Sequence, residues 1–148
     1  MDTITGYLTN DHKRCDTLFI EAENYVNTNL WDRAAACFQQ FYEALEQHFA
    51  MEEQVLFPTF ETAIGSTDGP TSVMRVEHQQ LRGIISMLKD GLARRDKNSF
   101  LGHSDTLNIM LQQHNLKEES ILYLMTDRVL SAQKNDVVSA MKQIGSLV

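Results

Sequence analysis

Apolar residues recur along this chain at spacings of three and four, and polar segments interrupt the pattern four times. The interruptions are residues 27–32 (NTNLWD), 65–70 (GSTDGP), 94–99 (RRDKNS) and 131–136 (SAQKND). Spacings of three and four are typical of an amphipathic helix that buries one face. The sequence therefore predicts four long helices and a short fifth one.

The predicted helices suggest a bundle. The four long ones run from about Ile4 to Val26, from Asp32 to Ile64, from Pro70 to at least Leu92, and from Phe100 to Leu130; the fifth follows a cap at Asn135 or Asp136. Pro58 lies inside the second and predicts a kink there. Because the connections are short, successive helices should be antiparallel neighbours. We expect an all-α fold with residues 1–148 in one domain: an antiparallel up-down four-helix bundle with a short fifth C-terminal helix across one end.

Composition narrows the classes of partner. The chain has 148 residues, enough for one hydrophobic core, with 20 acidic and 13 basic residues and a net charge of −7. No basic run exceeds the pair Arg94 and Arg95, so nucleic acid and anionic membranes are poor partners. No apolar stretch approaches a bilayer span and the N-terminus lacks a signal-peptide pattern, so we expect a cytoplasmic protein. Cys15 and Cys37 should be buried and reduced.

The two halves of the chain repeat each other at an offset of 66 residues. The repeated segment reads HFAMEEQVLF from His48 and HNLKEESILY from His114. The offset also relates these pairs: His12 and His78, His48 and His114, Glu52 and Glu118, Glu53 and Glu119, Asp11 and Glu77, Phe57 and Tyr123. The chain therefore contains two copies of one helical hairpin.

The repeated histidines should lie at one height. His12 and His48 have their midpoint at residue 30, and His78 and His114 have theirs at residue 96; both midpoints fall in predicted turns. At a rise of about 1.5 Å per residue, each histidine lies roughly 27 Å from its turn, deep in the bundle. The midpoint of His48 and His78, residue 63, is near the predicted turn at residues 65–70. All four histidines are expected to share one layer.

The histidines and two glutamates should also face inward. His48 and Glu52 are four residues apart and interleave with the apolar stripe of the second helix, and His114 and Glu118 do the same in the fourth. Two buried carboxylates without a partner would be strongly disfavoured, and a multivalent cation removes that penalty. Mixed imidazole and carboxylate ligands suit iron, with manganese and zinc as weaker candidates.

This pattern resembles the hemerythrin-like (HHE cation-binding) domains. The resemblance rests on His12, His48-x-x-x-Glu52, the lone His78 and His114-x-x-x-Glu118, and it covers almost the whole chain. It implies a four-helix bundle with a non-haem di-iron centre, that is, two iron ions (Fe2+/Fe3+) bridged by Glu52, Glu118 and an oxo or hydroxo group. Each iron would then carry two of the histidines as terminal ligands.

Two positions differ from the oxygen-carrying hemerythrins, in which the third helix has a second histidine and the fourth has an aspartate. Those positions hold Arg82 and Glu119 in this chain. We interpret Arg82 as facing the site. The set of four histidines and two glutamates is similar to the di-iron domain of the repair-of-iron-centres proteins, which are linked to nitrosative and oxidative stress.

Four acids near the predicted ligands need separate interpretation. Glu53 and Glu119 lie about 100° round the helix from the ligands before them and are expected to point outward, with Glu119 as the alternative ligand should Glu118 not bind. Asp11 and Glu77, each just before a lone histidine, could orient imidazoles as hydrogen-bond acceptors, but we favour their interpretation as solvated acids. Tyr123 is expected to fill the core.

These observations predict a di-iron protein whose small ligand is diatomic or a peroxide, namely O₂, NO or H₂O₂. Its role would lie in oxidative or nitrosative stress or in iron-centre repair, and the sequence leaves open whether it turns over as an enzyme. The alternatives are a reversible O₂ carrier, a sensor of O₂, redox state or iron that passes its state to an unknown protein partner, and a structural bundle that holds zinc.

Overall fold

Five helical segments account for most of the chain in this computed structural model, which describes residues 2–146. The first helix, α1, is Ile4–Asn27. The second, α2 (31–64), consists of Trp31–Met51, a π-helical turn Glu52–Leu56, and Phe57–Ile64. The third, α3, is Pro70–Ala93. The fourth, α4 (97–129), consists of Lys97–Lys117, a π-helical turn Glu118–Leu122, and Tyr123–Val129. A 3₁₀ turn, Ser131–Gln133, leads into α5, Lys134–Ser146. The predicted helices are confirmed, with α4 beginning slightly earlier than expected. Helix α5 also begins earlier, directly after the 3₁₀ turn, so the predicted cap at Asn135 or Asp136 is wrong.

The four long helices form an antiparallel ring. Helix α1 packs on α2 and α4, and α3 packs on α2 and α4, so chain neighbours are also spatial neighbours. Helix α5 lies against α1 and α2 beside the first π-turn. This is the predicted up-down bundle with a fifth helix across one end. Within residues 2–146, no helix has the length and apolar character required to cross a bilayer.

The core consists of two apolar clusters with a polar layer between them. One cluster, nearer the two hairpin turns, includes Phe19, Phe38 and Phe41 and also both cysteines, which are free and buried as expected. The other, under α5, includes Phe60 and Met141. Along each long helix the buried histidine or glutamate lies between residues of the two clusters. The polar layer is therefore closed by apolar side chains above and below.

The repeat extends to the backbone of the turns. Asn29, between α1 and α2, has a φ of 60°, and Arg95, exactly 66 residues later between α3 and α4, has a φ of 53°. Asn tolerates this left-handed conformation, and Arg adopts it less readily. Gly65 ends α2 at a φ of 69°, where the absence of a Cβ makes the conformation inexpensive. The two hairpins thus turn in the same way at equivalent positions.

Both π-turns begin at a predicted ligand. They start at Glu52 and Glu118 and are related by the 66-residue offset. A kink was predicted at Pro58, but the departure from α geometry comes before that proline. It also recurs in α4, where Leu124 takes the equivalent position. Proline is therefore not what the two turns share, whereas a buried glutamate is, as expected for π-turns at functional sites.

Side-chain caps hold the start of α1 in place. Thr3 accepts a hydrogen bond from the backbone N–H of Gly6 at 2.8 Å. Asp127, near the end of α4, accepts from the backbone N–H groups of Ile4 and Thr5 at 2.8 and 3.0 Å. These bonds satisfy donors that the first turn of a helix leaves without partners. They also join α1 to α4 on the ring.

Candidate metal centre

The six predicted ligands meet in the polar layer. All are buried, none more than 4% exposed, and they come from all four long helices: His12, His48, Glu52, His78, His114 and Glu118. Nε2 of His12 lies 3.1 Å from Oε1 of Glu118, and Nε2 of His78 lies 3.1 Å from Oε1 of Glu52. The structure therefore brings together the residues that the sequence selected.

The ligand atoms divide into two overlapping groups. Glu52, His78, His114 and Glu118 each offer an atom within 4.8 Å of the others, and His12, His48 and Glu118 form a second such group. Each group could hold a metal ion. Glu118 belongs to both, which is the arrangement required of a carboxylate shared by two cations. Glu52 also approaches the second group, with Oε1 3.6 Å from Nε2 of His48.

Four of the converging atoms have no hydrogen-bond partner among the described residues. They are Oε1 of Glu52, Nε2 of His78, Nε2 of His114 and Oε2 of Glu118. Some lie close to one another, but they are not directed as hydrogen bonds. Buried polar atoms are rarely left in this state, because each forfeits its hydration. Imidazole nitrogens and carboxylate oxygens that converge in this way fit a metal ion.

Each of the four predicted histidine ligands also contacts, through its other ring nitrogen, a carboxylate on the outer side of the layer that belongs to a neighbouring helix. The distances between Nδ1 and the carboxylate oxygen are 2.8 Å for His48 with Asp11 and for His114 with Glu77, and 2.6 Å for His78 with Glu53 and for His12 with Glu119. In a neutral imidazole, an Nδ1–H that donates to the acid leaves the Nε2 lone pair free to bind a metal. The outer acids therefore set both the tautomer and the direction of the rings.

These contacts overturn the interpretation of the four acids. Glu53 and Glu119 do not point outward but reach the histidine of the adjacent helix, and Glu119 lies in neither ligand group. Asp11 and Glu77 are not merely solvated. Each binds a histidine of another helix rather than the one that follows it in sequence. Interhelical packing determines these partners, which is why spacing within one helix did not reveal them.

The interpretation of Arg82 as a residue that faces the site was also wrong. Its guanidinium donates to Glu46 and Glu53 of α2, with several N–O distances of 3.0 Å, and it lies 5.0 Å from the centre of the Phe49 ring. The side chain therefore runs along the groove between α2 and α3 instead of facing the ligand groups. Two carboxylates and the face of an aromatic ring stabilise the guanidinium in this groove through charge-assisted hydrogen bonds and a cation–π contact.

Tyr123 is a further polar member of the layer that the sequence analysis missed. The residue is fully buried, and its hydroxyl donates to Oε2 of Glu52 at 2.7 Å. The oxygen of the Tyr123 hydroxyl also lies 3.0 Å from Oε1 of Glu118, 3.2 Å from Nε2 of His12 and 3.3 Å from Nε2 of His48. The signal that could have found it is the repeat itself, since Tyr123 is equivalent to Phe57 and adds one hydroxyl.

The buried charges shift the pKa values of the layer. Burial alone would lower the pKa of His48, but Glu52 and Asp11 outweigh it and raise that pKa to about 10. For His114 burial is likewise outweighed, here by Glu118, and the pKa rises to about 9. Burial opposes ionisation of Glu52, yet His48 holds the pKa of that carboxyl well below its usual range. Without metal, the protonated imidazoles of His48 and His114 thus offset negative charge in the layer.

One surface cavity reaches the layer. It has a volume of about 170 Å³, lies between α3 and α4, and is bordered by Glu77, Met110, His114 and Lys117. A cavity of about 230 Å³ adjoins Asp11 on the opposite side and includes Gly145 of α5 in its lining. There the side chain of Gln47 donates to the backbone carbonyl of Gly145 at 2.7 Å. Of these two cavities, α5 borders only the one beside Asp11.

The fold and the layer together define a class: four-helix bundles whose core presents metal-binding side chains from facing helices. Comparison with known proteins then identifies the family. The chain matches the family described as hemerythrin HHE cation binding domain over residues 3–126, and it belongs to that family. The matched region contains all six predicted ligands, and it confirms the resemblance seen in the sequence.

A curated relative shares a shorter segment. The chain is 37% identical over 49 residues to the iron-sulfur cluster repair protein YtfE of Salmonella schwarzengrund (strain CVM19633). The shared segment makes up 32% of this chain and 22% of that protein, so it spans about a fifth of the relative's length. No solved structure gives a significant match.

Proposed function

We propose that this protein is a non-haem di-iron protein that binds or reacts with a small ligand, O₂, NO or a peroxide. Its metal ligands are His12, His48, Glu52, His78, His114 and Glu118, and the proposal includes an oxo or hydroxo group as a further bridge. Its role is in the response to oxidative or nitrosative stress or in the repair of iron centres.

The observation that carries the proposal is the pair of ligand groups that share Glu118. A single group of three or four ligands would suit one cation, whereas two groups with a carboxylate in common suit two adjacent cations. The orphaned atoms of Glu52, His78, His114 and Glu118 support the same conclusion, because a cation would satisfy all of them together.

The choice of iron follows from the ligand chemistry and the family. Imidazole and carboxylate ligands together suit iron, whereas metals that prefer thiolates would need cysteine ligands. The two cysteines lie in the apolar cluster, outside both ligand groups. When bound, iron supplies the one-electron and two-electron chemistry that small oxygen and nitrogen species require.

The protein's own residues orient and shield the centre. The four outer carboxylates hold each imidazole with its Nε2 toward the ligand groups. The ring of Phe49 stacks on His78 at a centroid distance of 3.9 Å, and Phe57 stacks on the same ring at 5.8 Å. These apolar rings limit the entry of bulk water. The cavity of about 170 Å³ adjoins His114, and we place the approach of the small ligand on this side.

The stress or repair role is supported by the relative. The Salmonella protein is described as an iron-sulfur cluster repair protein, and the shared segment is 49 residues long. The identity of that segment supports related metal chemistry here, and the role in repair is proposed on the strength of it.

Metal analysis with an aerobic optical spectrum tests the metal. We expect two irons per chain and the near-ultraviolet absorption of a bridged ferric pair. Stoichiometric zinc in protein produced with ample iron would contradict the proposal and would favour a structural bundle. Glu118→Ala provides the matched variant, since it removes the ligand that both groups share.

Stopped-flow absorbance tests the reactivity. The di-ferrous protein, mixed with oxygenated buffer, should be oxidised within minutes without a long-lived oxygenated species. A stable and reversible oxygenated spectrum would replace the stress or repair role with that of an oxygen carrier. The same experiment with NO and with H₂O₂ identifies the ligand that reacts fastest.

A further inference from the structure

The two halves of the metal centre differ at one buried position. The 66-residue offset relates Phe57 in α2 to Tyr123 in α4, and both side chains are fully buried. Every predicted ligand and every outer carboxylate has an acidic or imidazole counterpart in the other half. The hydroxyl of Tyr123 has none, so the duplicated site is chemically unequal.

This hydroxyl lies beside the histidine nitrogens of one ligand group, and it also contacts Glu52 of the other group at 2.7 Å. Its oxygen is 3.2 Å from Nε2 of His12, 3.3 Å from Nε2 of His48 and 3.0 Å from Oε1 of Glu118. Those three residues are the ones that make up the second ligand group. The phenol is therefore the nearest additional oxygen to whatever cation the group binds.

The two histidines of the other group have no such oxygen beside them among the described residues. In that half, Phe57 takes the position equivalent to Tyr123 and contributes a ring that stacks on His78. There the nitrogens of His78 and His114 lack hydrogen-bond partners among the described residues, whereas the equivalent nitrogens of His12 and His48 both lie near the Tyr123 hydroxyl. The difference between the halves is thus visible in the satisfaction of their polar atoms.

We propose that Tyr123 is a seventh metal ligand, which binds through its phenolate oxygen at the position formed by His12, His48 and Glu118. This inference rests on the proposed function. A cation held by His12, His48 and Glu118 would lie within reach of the hydroxyl, because the three atoms that these residues offer are 3.0–3.3 Å from its oxygen. The side chain is fully buried and its ring stacks on His12 at 5.7 Å, so packing resists its withdrawal.

The proton balance is simple. The phenol O–H, which donates to Glu52 before metal binds, loses its proton as the oxygen–metal bond forms, and the proton passes to solvent. Deprotonation of a coordinating side chain is ordinary for a strongly polarising ion. No oxidant or reductant takes part in this step.

Optical and resonance Raman spectra of the ferric protein test the proposal. A phenolate bound to ferric iron absorbs visible light by charge transfer, and excitation in that band enhances the vibrations of the tyrosine ring. We expect the band and the ring vibrations in the wild type and their loss in Tyr123→Phe, which reproduces the residue already present at position 57. Circular dichroism checks that the variant keeps its helices.

Tyr7→Phe is the matched control. The Tyr7 hydroxyl contacts the sulfur of Met51 at 3.8 Å and lies outside both ligand groups, so this variant should keep the phenolate signals. Wild type that holds two irons per chain without tyrosine vibrations would overturn this inference alone. Persistence of the vibrations in Tyr123→Phe would do so as well. Wild type that takes up no iron would overturn the proposed function and this inference with it.

Discussion

Replacement of Glu53 by glutamine tests whether the outer carboxylates govern metal binding. Oε2 of Glu53 lies 2.6 Å from Nδ1 of His78, and both carboxylate oxygens bind the guanidinium of Arg82 at 3.0 Å. Burial opposes ionisation of this carboxyl, but His78 and Arg82 lower its pKa to about 2, so the group is charged at neutral pH. Glutamine keeps the size and one acceptor oxygen but removes the charge.

The expected loss of metal affinity in Glu53→Gln follows from the type of hydrogen bond that is lost. A hydrogen bond to a charged group contributes about 1.5–3 kcal/mol and a neutral one about 0.5–1.5 kcal/mol. The difference, roughly 1–1.5 kcal/mol, corresponds to a weakening of metal affinity by a factor of about ten. Glu53→Ala removes the acceptor altogether and should approach the upper end of the 10–100-fold range seen for such partners.

Competition with a chromophoric chelator measures the affinity, and Glu46→Gln is the control. Glu46 also binds Arg82, at 3.0 Å, and is similarly exposed, but it contacts no histidine of the cluster. Metal affinity should therefore be nearly unchanged in Glu46→Gln. Equal affinities of Glu53→Gln and wild type, or equal losses in the two variants, would refute the role assigned to the outer carboxylates.

Three further results are expected. Metal analysis should find both ions lost in Glu118→Ala but a smaller loss in Glu52→Ala, since only Glu118 belongs to both ligand groups; retention of two metals by the former would contradict this. The metal-free protein should lose unfolding free energy, measured by chemical denaturation, as pH rises from about 6.5 through 9 and 10. The raised pKa values of His48 and His114 mean that their protons stabilise the folded state below 6.5 and leave it above those values, so stability that rises over this interval would refute the assignment. Metal binding at pH 7 should release about two protons from these imidazoles and one more from Tyr123, measured by calorimetry in buffers of different ionisation heat; the Tyr123→Phe variant should lack the last one.

The duplicated pattern made the fold and the convergence of the six side chains predictable. A histidine and a His-x-x-x-Glu segment that recur at a fixed offset need no knowledge of packing to be recognised. The position of the turns then places His12, His48, His78 and His114 at one height. Even the left-handed residues of the two hairpin turns, Asn29 and Arg95, obey the offset.

Contacts between helices could not be obtained from the same pattern. The spacing of Glu53 from Glu52 indicates an outward position on a regular α-helix, but the π-turn that begins at Glu52 changes the geometry, and His78 lies on another helix. Arg82 follows the same logic. Its position one turn after His78 predicts that it faces the site, but hydrogen bonds to the carboxylates of α2 hold the guanidinium in the groove between α2 and α3. Electrostatic pairing between elements decides both cases.

The departures from symmetry all distinguish the same two sides of the centre. On one side, the hydroxyl of Tyr123 lies beside His12 and His48, and α5 borders the adjoining cavity near Asp11. On the other, Phe57 adds no polar atom, and the cavity between α3 and α4 reaches His114 without α5 in its lining. With Glu52 as well as Glu118 shared between the two ions, the phenolate gives the ion beside His12 and His48 one protein ligand more than the other ion, and so one position fewer for an external ligand. The small ligand is therefore expected to bind on the His114 side, while the side that contains Tyr123 holds its ion more firmly.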